Sequence, residues 1–248
     1  MQGGKLNISS DRAKKGDTVT VTVLPDKGYM LDTLTVTDAA GKLLKLTAKG
    51  KHQYTFIMPG SKVKAEATFK PADANPFTDI RETDHFYEAV LWAVANGITN
   101  GTTETTFSPH KTCTRAQTVT FLWRAMGSPE PITAVNPFTD VDESAYYYKA
   151  VLWAVENGIT NGLTATSFAP DDTVKRSQTV TFLWRAAGKP MADTVNPFAD
   201  VPLDAYYHQA VLWAGIEGIT NGTSKTTFSP VADCTRGQIV KFLYGYMT

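Results

Sequence analysis

Three arginines at one recurring position are the residues best suited to bind a ligand. Arg115, Arg176 and Arg236 each fall in the first turn of a predicted helix. A cation there opposes the helix dipole at a cost of roughly 0.3–1 kcal/mol, so a purely structural position would favour Asp or Glu. The guanidinium is a planar fork that holds a carboxylate or phosphate through two hydrogen bonds. The pattern indicates an anion close to each arginine.

The anion has two possible sources. An acidic residue closes each Asn-Pro-Phe-x-Asp segment, at Asp79, Asp140 and Asp200, and could pair with the arginine inside the protein. Alternatively, the arginine binds an external anion and shares it with that aspartate. Both interpretations remain open from the residues alone.

Other recurring residues could contact the same ligand. Asn-Gly pairs lie in loops, where the simplest role is a turn with positive φ, although their amide groups could also bind hydroxyls. A recurring tryptophan lies in an apolar helix and is either a core residue or a ring that stacks on a sugar. These candidates are Asn100, Asn161 and Asn221, Gly101, Gly162 and Gly222, and Trp92, Trp153 and Trp213.

The sequence gives no support for catalysis. The four histidines occupy unrelated positions, and neither GxSxG nor HExxH occurs. The acidic clusters at 140–143 and 171–172 do not recur between copies, which favours solvated surface. We therefore expect no enzyme, no catalytic residue, no metal and no cofactor.

The arginines belong to three copies of one unit. Asn136–Gly188 aligns without a gap to Asn75–Gly127 at an offset of 61, and to Asn196–Thr248 at an offset of 60. Such units usually cannot bury their own apolar face and need their neighbours. We therefore predict three repeats that pack side by side.

Each repeat is predicted to be helix, loop, helix. In the first helix of the first copy, apolar residues follow the helical period, Thr83 is the predicted N-cap, and Gly97 ends the helix; Ser144 and Asp204 are the equivalent caps. The second helix begins at Thr114 with a capping box to Gln117, whereas the middle copy has Lys175 and lacks the hydroxyl. The glutamines at 117, 178 and 238 are thus capping residues rather than ligand contacts.

Residues 1–70 are predicted to be a small all-β domain. Thr18–Leu24 alternates strictly, with Val19, Val21 and Val23 on one face. Further strands are predicted at 31–37, 42–46, 52–58 and 62–70, with a turn at 25–28. Residues 71–74 form the linker to the repeats.

Composition narrows the class of protein. The 248 residues carry 24 basic and 24 acidic side chains, which argues against nucleic-acid binding, and no apolar run is long enough to insert in a membrane. Cys113 and Cys234 share a repeat position with Val174, so we expect buried thiols rather than a disulfide. The first residues contain no signal peptide, so we expect a fragment of a longer secreted chain.

The three repeats resemble S-layer homology (SLH) domains. The resemblance rests on FTDI, FTDV and FADV, on AVLWA with GITNG, on the FSP or FAP turn, and on CTRAQ, VKRSQ and CTRGQ, where Gln replaces the family's frequent Glu. It implies a pseudo-threefold, mainly α bundle with grooves between repeats. The N-terminal pattern GYxLDxLTVTDAxGK…YTFxMPxxxVxAxATF resembles InlB B-repeat-like modules of bacterial surface proteins, which implies a spacer. The fold class is then α+β.

The resemblance also implies a function. The family anchors secreted proteins to the wall of Gram-positive-type bacteria by binding secondary cell-wall polysaccharide, often through a pyruvylated sugar whose carboxylate would supply the expected anion. By position, the arginines, aspartates and glycines named above would form the grooves, and several weak grooves on one polymer would give avidity. The expected location is the cell surface. The alternative is a structural or protein-interaction module, with other surface proteins as partners and with internally paired arginines.

Overall fold

A computed structural model describes residues 2–26, 29–50, 52–71, 75–133 and 135–248. The chain divides into two compact units, one of residues 1–74 together with 247–248 and one of residues 75–246. The first contains strands and the second contains helices, which confirms the α+β prediction with an all-β N-terminal domain. No helix in the described ranges is both long enough and apolar enough to cross a bilayer.

The first unit contains two antiparallel sheets. Its strands are β1 (Gly4–Ile8), β2 (Thr18–Pro25), β3 (Tyr29–Asp38), β4 (Thr47–Gly50), β5 (Gln53–Ile57) and β6 (Val63–Pro71). One sheet has the order β1-β2-β5-β4, and β3 pairs with β6 in the other. The alternation of β2 buries Val19, Val21 and Val23 as predicted, and Val36 and Phe56 complete the core from β3 and β5.

One strand prediction was wrong, and one strand was missed. Residues 42–46 form only an isolated bridge between Leu43 and Thr37, and the strand β4 lies further along the chain. The edge strand β1 was not predicted, because the segment Gly-Lys-Leu-Asn-Ile is short and begins with a glycine. Residues 27, 28 and 72–74 of the predicted turn and linker lie outside the described residues.

The second unit contains six helices in three pairs. These are α1 (Tyr87–Ala95) and α2 (Arg115–Ala125), α3 (Tyr148–Glu156) and α4 (Arg176–Ala186), and α5 (His208–Ile216) and α6 (Arg236–Met247). The first helix of each pair ends before a glycine with φ of +65°, +65° or +70°, at Gly97, Gly158 and Gly218, as the sequence predicted.

The predicted caps of the first helices were wrong, whereas the capping boxes of the second helices were right. The N-cap of α1 is Phe86 and not Thr83, and Ser144 bonds Asp142 instead of capping α3. Consecutive turns occupy these segments and delay each helix by three residues or more. The α2 box has both of its bonds, Thr114 N–H to Gln117 Oε1 and Gln117 N–H to Thr114 Oγ1. In the middle copy only the bond from Lys175 N–H to Gln178 Oε1 remains.

The three repeats close into a ring around one recurring position. Cys113 N–H donates to the Cys234 carbonyl, Cys234 N–H to the Val174 carbonyl, and Val174 N–H to the Cys113 carbonyl, at 2.9–3.1 Å. Their side chains are at most 1% exposed, and the two thiols are free. This closed triangle places the N-termini of α2, α4 and α6 around one centre, and those helices begin with the three arginines.

Candidate functional site

Each arginine is held by the next repeat of the ring. The backbone N–H groups of Arg115 and Ala116 donate to the carbonyls of Asp172 and Pro170, at 2.9 and 3.0 Å. The Arg115 side chain then donates from Nε to the Phe168 carbonyl at 2.9 Å. The first arginine therefore belongs to the interface between the first and second copies.

The pattern is cyclic. Arg176 Nε donates to the Phe228 carbonyl of the third copy at 3.0 Å, and Arg236 Nε donates to the Phe107 carbonyl of the first copy at 3.0 Å. Three such interfaces thus form between adjacent repeats, at the positions where the resemblance places the grooves. We name each groove after its arginine.

The guanidinium groups are buried between aromatic rings. Arg115, Arg176 and Arg236 are only 3%, 3% and 6% exposed. The guanidinium carbon of Arg176 lies 4.9 Å from the Phe228 ring centroid and 5.2 Å from that of Phe242, and the other two arginines have equivalent ring pairs. Burial lowers the pKa of all three arginines. A buried cation requires compensation by polar or anionic partners.

The aspartates do not supply that compensation by direct contact. Asp79 accepts hydrogen bonds from the backbone N–H groups of Phe107 and Ser108, at 2.8 and 2.7 Å. Asp140 and Asp200 hold the equivalent turns in the other copies. Throughout the described ranges, no ion pair joins these aspartates to the three arginines. The direct internal pair considered from the sequence is therefore not formed.

Instead, each aspartate fixes a strained turn. The second residue of each FSP or FAP segment has positive φ, of 58°, 55° and 60° at Ser108, Ala169 and Ser229, and its N–H donates to the aspartate. At Asp140, burial raises the pKa, but the bonds from Phe168 N–H, the Ser167 hydroxyl and Ala169 N–H prevail, so the pKa is lowered overall. The carboxylates act on the guanidinium groups through longer-range attraction, which raises the pKa of each arginine against the effect of burial.

The three grooves differ in what faces the outer nitrogen of the guanidinium. Arg236 Nη2 donates to the Asn100 carbonyl at 2.8 Å and to Thr99 Oγ1 at 3.4 Å. Arg115 Nη2 and Arg176 Nη2 are buried and have no hydrogen-bond partner. A buried charged donor without a partner is costly, by about 1–3 kcal/mol or more.

The difference originates in one peptide unit of the Thr-Asn-Gly loop. In the second and third copies, the Gly162 and Gly222 N–H groups donate to Thr160 Oγ1 and Thr220 Oγ1 at 3.2 Å, with φ of +80° and +79° at the glycines. In the first copy, Gly101 lies outside the positive-φ region, and the Asn100 carbonyl faces Thr99 and Arg236. The peptide between the loop asparagine and glycine therefore has one orientation in the first copy and the opposite orientation in the other two.

The loop glycines have a steric role in all three copies. A Cβ atom on Gly162 would lie 2.5 Å from the Phe138 ring and 2.6 Å from the Ser167 carbonyl oxygen. Gly101 and Gly222 are equally confined. The recurrence of glycine is therefore explained by packing, and a ligand is not needed to account for it.

The remaining predicted contacts separate into two groups. Asn100, Asn161 and Asn221 are exposed at the loops beside the arginines. Trp153 and Trp213 are 6% and 5% exposed. They are core residues, which was the other role considered besides stacking on a sugar, whereas Trp92 is half-buried. The structure thus brings Arg236 and the Asn100 loop together and leaves two of the three tryptophan rings inside.

Sequence reasoning missed two features of the grooves. The loop threonines at 99, 160 and 220 are buried and orient the loop peptide. The carbonyls of Phe107, Phe168 and Phe228 accept the Nε bonds. The segments ITNG and FSP or FAP recur in every copy, and this recurrence was a signal for both features. It could not show which backbone atoms the arginines would contact.

The grooves also differ in nearby charge. The residue whose carbonyl accepts the arginine N–H is Asp172 at Arg115, Ala232 at Arg176 and Lys111 at Arg236. Asp172 and, more weakly, Asp140 raise the pKa of Arg115 against the effect of burial, whereas Cys234 and then Asp200 act in this way on Arg176. Fewer aspartates therefore compensate the charge of Arg176 than that of Arg115.

The chain offers no alternative site of metal or thiol chemistry in the parts that the structure describes. No cluster of His, Cys, Asp and Glu there could hold a metal ion. Burial raises the pKa of Cys113 to about 11, against the opposing effect of Arg236, and that of Cys234 to about 12. Both thiols are therefore protonated at neutral pH.

Comparison with known families identifies both units. The S-layer homology domain matches residues 76–119, 137–180 and 197–240, which together make up more than half of the chain. The divergent InlB B-repeat domain matches residues 1–73.

Several proteins of known description are similar to the repeats. The Surface-layer 125 kDa protein of Lysinibacillus sphaericus is 32% identical over 169 residues, which cover 66% of this chain and 14% of that protein. An endoglucanase of Bacillus sp. (strain KSM-635) is 28% identical over 178 residues, covering 69% and 19%. A cell surface protein of Thermoanaerobacter kivui is 28% identical over 121 residues, covering 47% and 16%. The chain therefore spans less than a fifth of each relative.

Proposed function

Because this chain belongs to the S-layer homology domain family, we propose that its three repeats anchor a secreted surface protein to the bacterial cell wall. The ligand is an anionic secondary cell-wall polysaccharide. Residues 1–73, a divergent InlB B-repeat domain, act as a spacer. The cell surface is the location that the family and its surface-layer relatives indicate.

The unpartnered Nη2 atoms of Arg115 and Arg176 carry this proposal. Each is a buried cationic donor in a groove between repeats. A carboxylate would accept from it and would replace the ion pair that the aspartates do not make. A pyruvate ketal on a sugar has such a carboxylate, so a pyruvylated sugar residue is the ligand that we assign to these two grooves.

The groove residues then have separate roles. Arg115 and Arg176 bind the anion, and Asn161 and Asn221 offer side-chain amides to sugar hydroxyls. Gly162 and Gly222 let the loop backbone approach the ligand, while Asp140 and Asp200 hold the turns that carry the accepting Phe carbonyls. No residue is assigned a catalytic step.

The Arg236 groove fits a second role. Its guanidinium is already bonded to the first copy, which is what an arginine with a structural role requires. We therefore assign Arg236 to closing the ring of repeats, together with Asp79, Asn100 and Gly101. A structural or protein-interaction function for all three copies would require the same internal bonding at Arg115 and Arg176.

The test is co-sedimentation of the chain with purified cell-wall sacculi of Lysinibacillus sphaericus, before and after mild acid removal of ketal groups. Wild-type protein should bind untreated walls, bind less in high salt, and lose binding after acid treatment. Arg115→Ala combined with Arg176→Ala should abolish binding, whereas Arg236→Ala should retain it at a temperature at which circular dichroism shows that all variants are folded. Equal binding of all variants would contradict the proposal.

A further inference from the structure

The third repeat contains a cleft that its sequence makes distinct from the other two. Its volume is about 400 Å³, within the range typical of small-molecule sites. Val195, Pro197, Phe198, Leu212 and Ile216 form its apolar walls. We name it the Gly215 cleft, after the helical residue that lines it.

A difference between the copies leaves this space open. Helix α5 has Gly215 where the first two copies have Val94 and Val155. A Cβ atom on Gly215 would have the Thr220 carbonyl oxygen, at 4.0 Å, as its nearest non-local neighbour. A valine side chain would therefore extend into the cleft without a backbone clash.

The cleft has apolar walls and one cationic edge. Val195 is 89% exposed and Ile216 is 55% exposed, so apolar surface faces water at the mouth. Lys225 lines the same cleft, where the first two copies have Glu104 and Ala165. Lys225 makes no ion pair within the described part of the chain. An anionic molecule with an apolar face would satisfy both features.

The cleft lies close to the Arg176 groove, because Phe198 lines the cleft and its ring centroid is 5.9 Å from that of Phe228, the ring that lies 4.9 Å from the Arg176 guanidinium carbon. Thr220 and Asn221 line it, and their equivalents in the first copy, Thr99 and Asn100, contact the guanidinium of Arg236. The 220–222 loop therefore borders the cleft and is the equivalent, in the third copy, of the loop that contacts an arginine in the first. A ligand seated at Arg176 can extend over this loop into the cleft.

We propose that the Gly215 cleft binds the next sugar residue of the glycan whose anionic sugar is held by Arg176. This inference rests on the proposed function. The apolar walls contact the less polar face of the sugar ring, and Lys225 pairs with a second negative charge on the polymer. The Arg176 groove is thereby an extended site for at least two sugar residues, and the Arg115 groove is a site for one.

The test compares short and long ligands on matched variants. The probes are polysaccharide released from Lysinibacillus sphaericus sacculi and its single-residue pyruvylated fragment, titrated by calorimetry into the full chain. Gly215→Val, which restores the residue of the other copies, should weaken polysaccharide binding at this groove about tenfold and leave fragment binding unchanged. Lys225→Ala should act in the same direction and more strongly at low salt. Glu104→Ala is the matched control in the first copy and should change neither affinity.

Arg176→Ala separates the two proposals. It should weaken both probes at this groove, because it removes the anion contact itself. If Arg176→Ala leaves binding of both probes unchanged, the proposed function is overturned. If Arg176→Ala weakens both but Gly215→Val and Lys225→Ala leave the polysaccharide-to-fragment affinity ratio unchanged, the cleft does not bind glycan.

Thermal unfolding of Gly215→Val, which has no clash to accommodate, should match that of the wild type. Lys225→Ala provides an independent test on an exposed side chain.

Discussion

The Arg236 groove and the Arg176 groove are built from the same residues and end in different states. Both have an arginine at a helix start, a Phe carbonyl that accepts from Nε, an aspartate on the turn, and an Ile-Thr-Asn-Gly loop. In one, the Asn100 carbonyl bonds the guanidinium; in the other, Nη2 of Arg176 has no partner. The orientation of one peptide thus separates the two states. We call a groove self-bonded when the guanidinium Nη2 donates to the neighbouring repeat, and open when Nη2 has no partner.

The surroundings of the two grooves also differ. The residue after the arginine is Gly237 in the last copy, where the other copies have Ala116 and Ser177. A Cβ on Gly237 would lie 3.0 Å from the Phe86 ring. The last and first copies therefore pack more closely at this interface than a larger residue at position 237 would allow. Under the proposed function, the self-bonded groove closes the ring, and the two grooves whose Nη2 atoms have no partner bind the ligand.

The largest expected effect is the cost of removing Arg236. Arg236→Ala deletes two short bonds and leaves the Phe107 and Asn100 carbonyls without that donor, so we expect a loss of about 3–5 kcal/mol in the free energy of unfolding. Arg176→Ala deletes one such bond together with an unpartnered donor, so its loss should be about 1–2 kcal/mol smaller. Urea unfolding followed by tryptophan fluorescence measures this difference, because all five tryptophans lie in the repeats.

Arg115→Ala is the matched control, since Arg115 has the same bonds as Arg176. The losses for Arg115→Ala and Arg176→Ala should agree more closely with each other than with the loss for Arg236→Ala. Three equal losses would show that the grooves are equivalent in solution and would remove the basis of the comparison.

A smaller effect is expected from turning the loop peptide in an open groove. Thr220→Val removes the oxygen that accepts from Gly222 N–H at 3.2 Å. An unpaired N–H costs about 1–3 kcal/mol where it is buried. The Gly222 N–H is partly buried, so its loss of a partner favours the orientation found in the first copy, with the Asn221 carbonyl on Arg176. Calorimetric titration with the pyruvylated fragment should then show the loss of one binding site.

Thr99→Val provides the control for this change. Its hydroxyl already faces the self-bonded groove, so the number of fragment sites should stay the same. The Gly222 amide resonance should shift in Thr220→Val and not in Thr99→Val. An unaltered number of sites in Thr220→Val, with a shifted Gly222 resonance, would mean that the turned peptide does not close the groove.

The repeats were predictable from the sequence, but the difference between the grooves was not. Arg115, Arg176 and Arg236 stood out because a cation at a helix start is unfavourable, and the capping box at Thr114 followed from residue types at fixed spacing. The Gly-Ile-Thr-Asn-Gly segment is identical in all three copies, so its residue types could not distinguish Gly101 from Gly162 and Gly222. The orientation of that peptide depends on neighbours from another repeat.

The role of the aspartates was unpredictable for a related reason. Asp79, Asp140 and Asp200 were considered as partners of the arginines because of their charge. Their actual partners are backbone N–H groups about 28 residues further along the chain, in a turn whose strain at Ser108, Ala169 and Ser229 depends on tertiary contacts. Charge complementarity indicated that the aspartates lie near the grooves. It could not show that their hydrogen-bond partners would be backbone N–H groups.

The smallest expected effect concerns Lys175, which distinguishes the Arg176 groove from the Arg115 groove. Lys175→Thr restores the capping hydroxyl that Thr114 provides, a gain of about 1 kcal/mol in the free energy of unfolding. It also deletes the exposed ion pair with Asp233, at 2.5 Å, which is worth about 0–1 kcal/mol. We therefore expect a net gain of at most about 1 kcal/mol, measured by urea unfolding.

Lys175→Ala is the control that separates these contributions. It loses the ion pair without gaining a hydroxyl, so it should be less stable than Lys175→Thr by about 1 kcal/mol. Both variants remove a cation beside Arg176 and should weaken fragment binding at that groove to the same small extent, and less so in high salt. If Lys175→Thr and Lys175→Ala are equally stable, α4 gains nothing from a capping hydroxyl, and the bond from Lys175 N–H to Gln178 is sufficient to cap that helix.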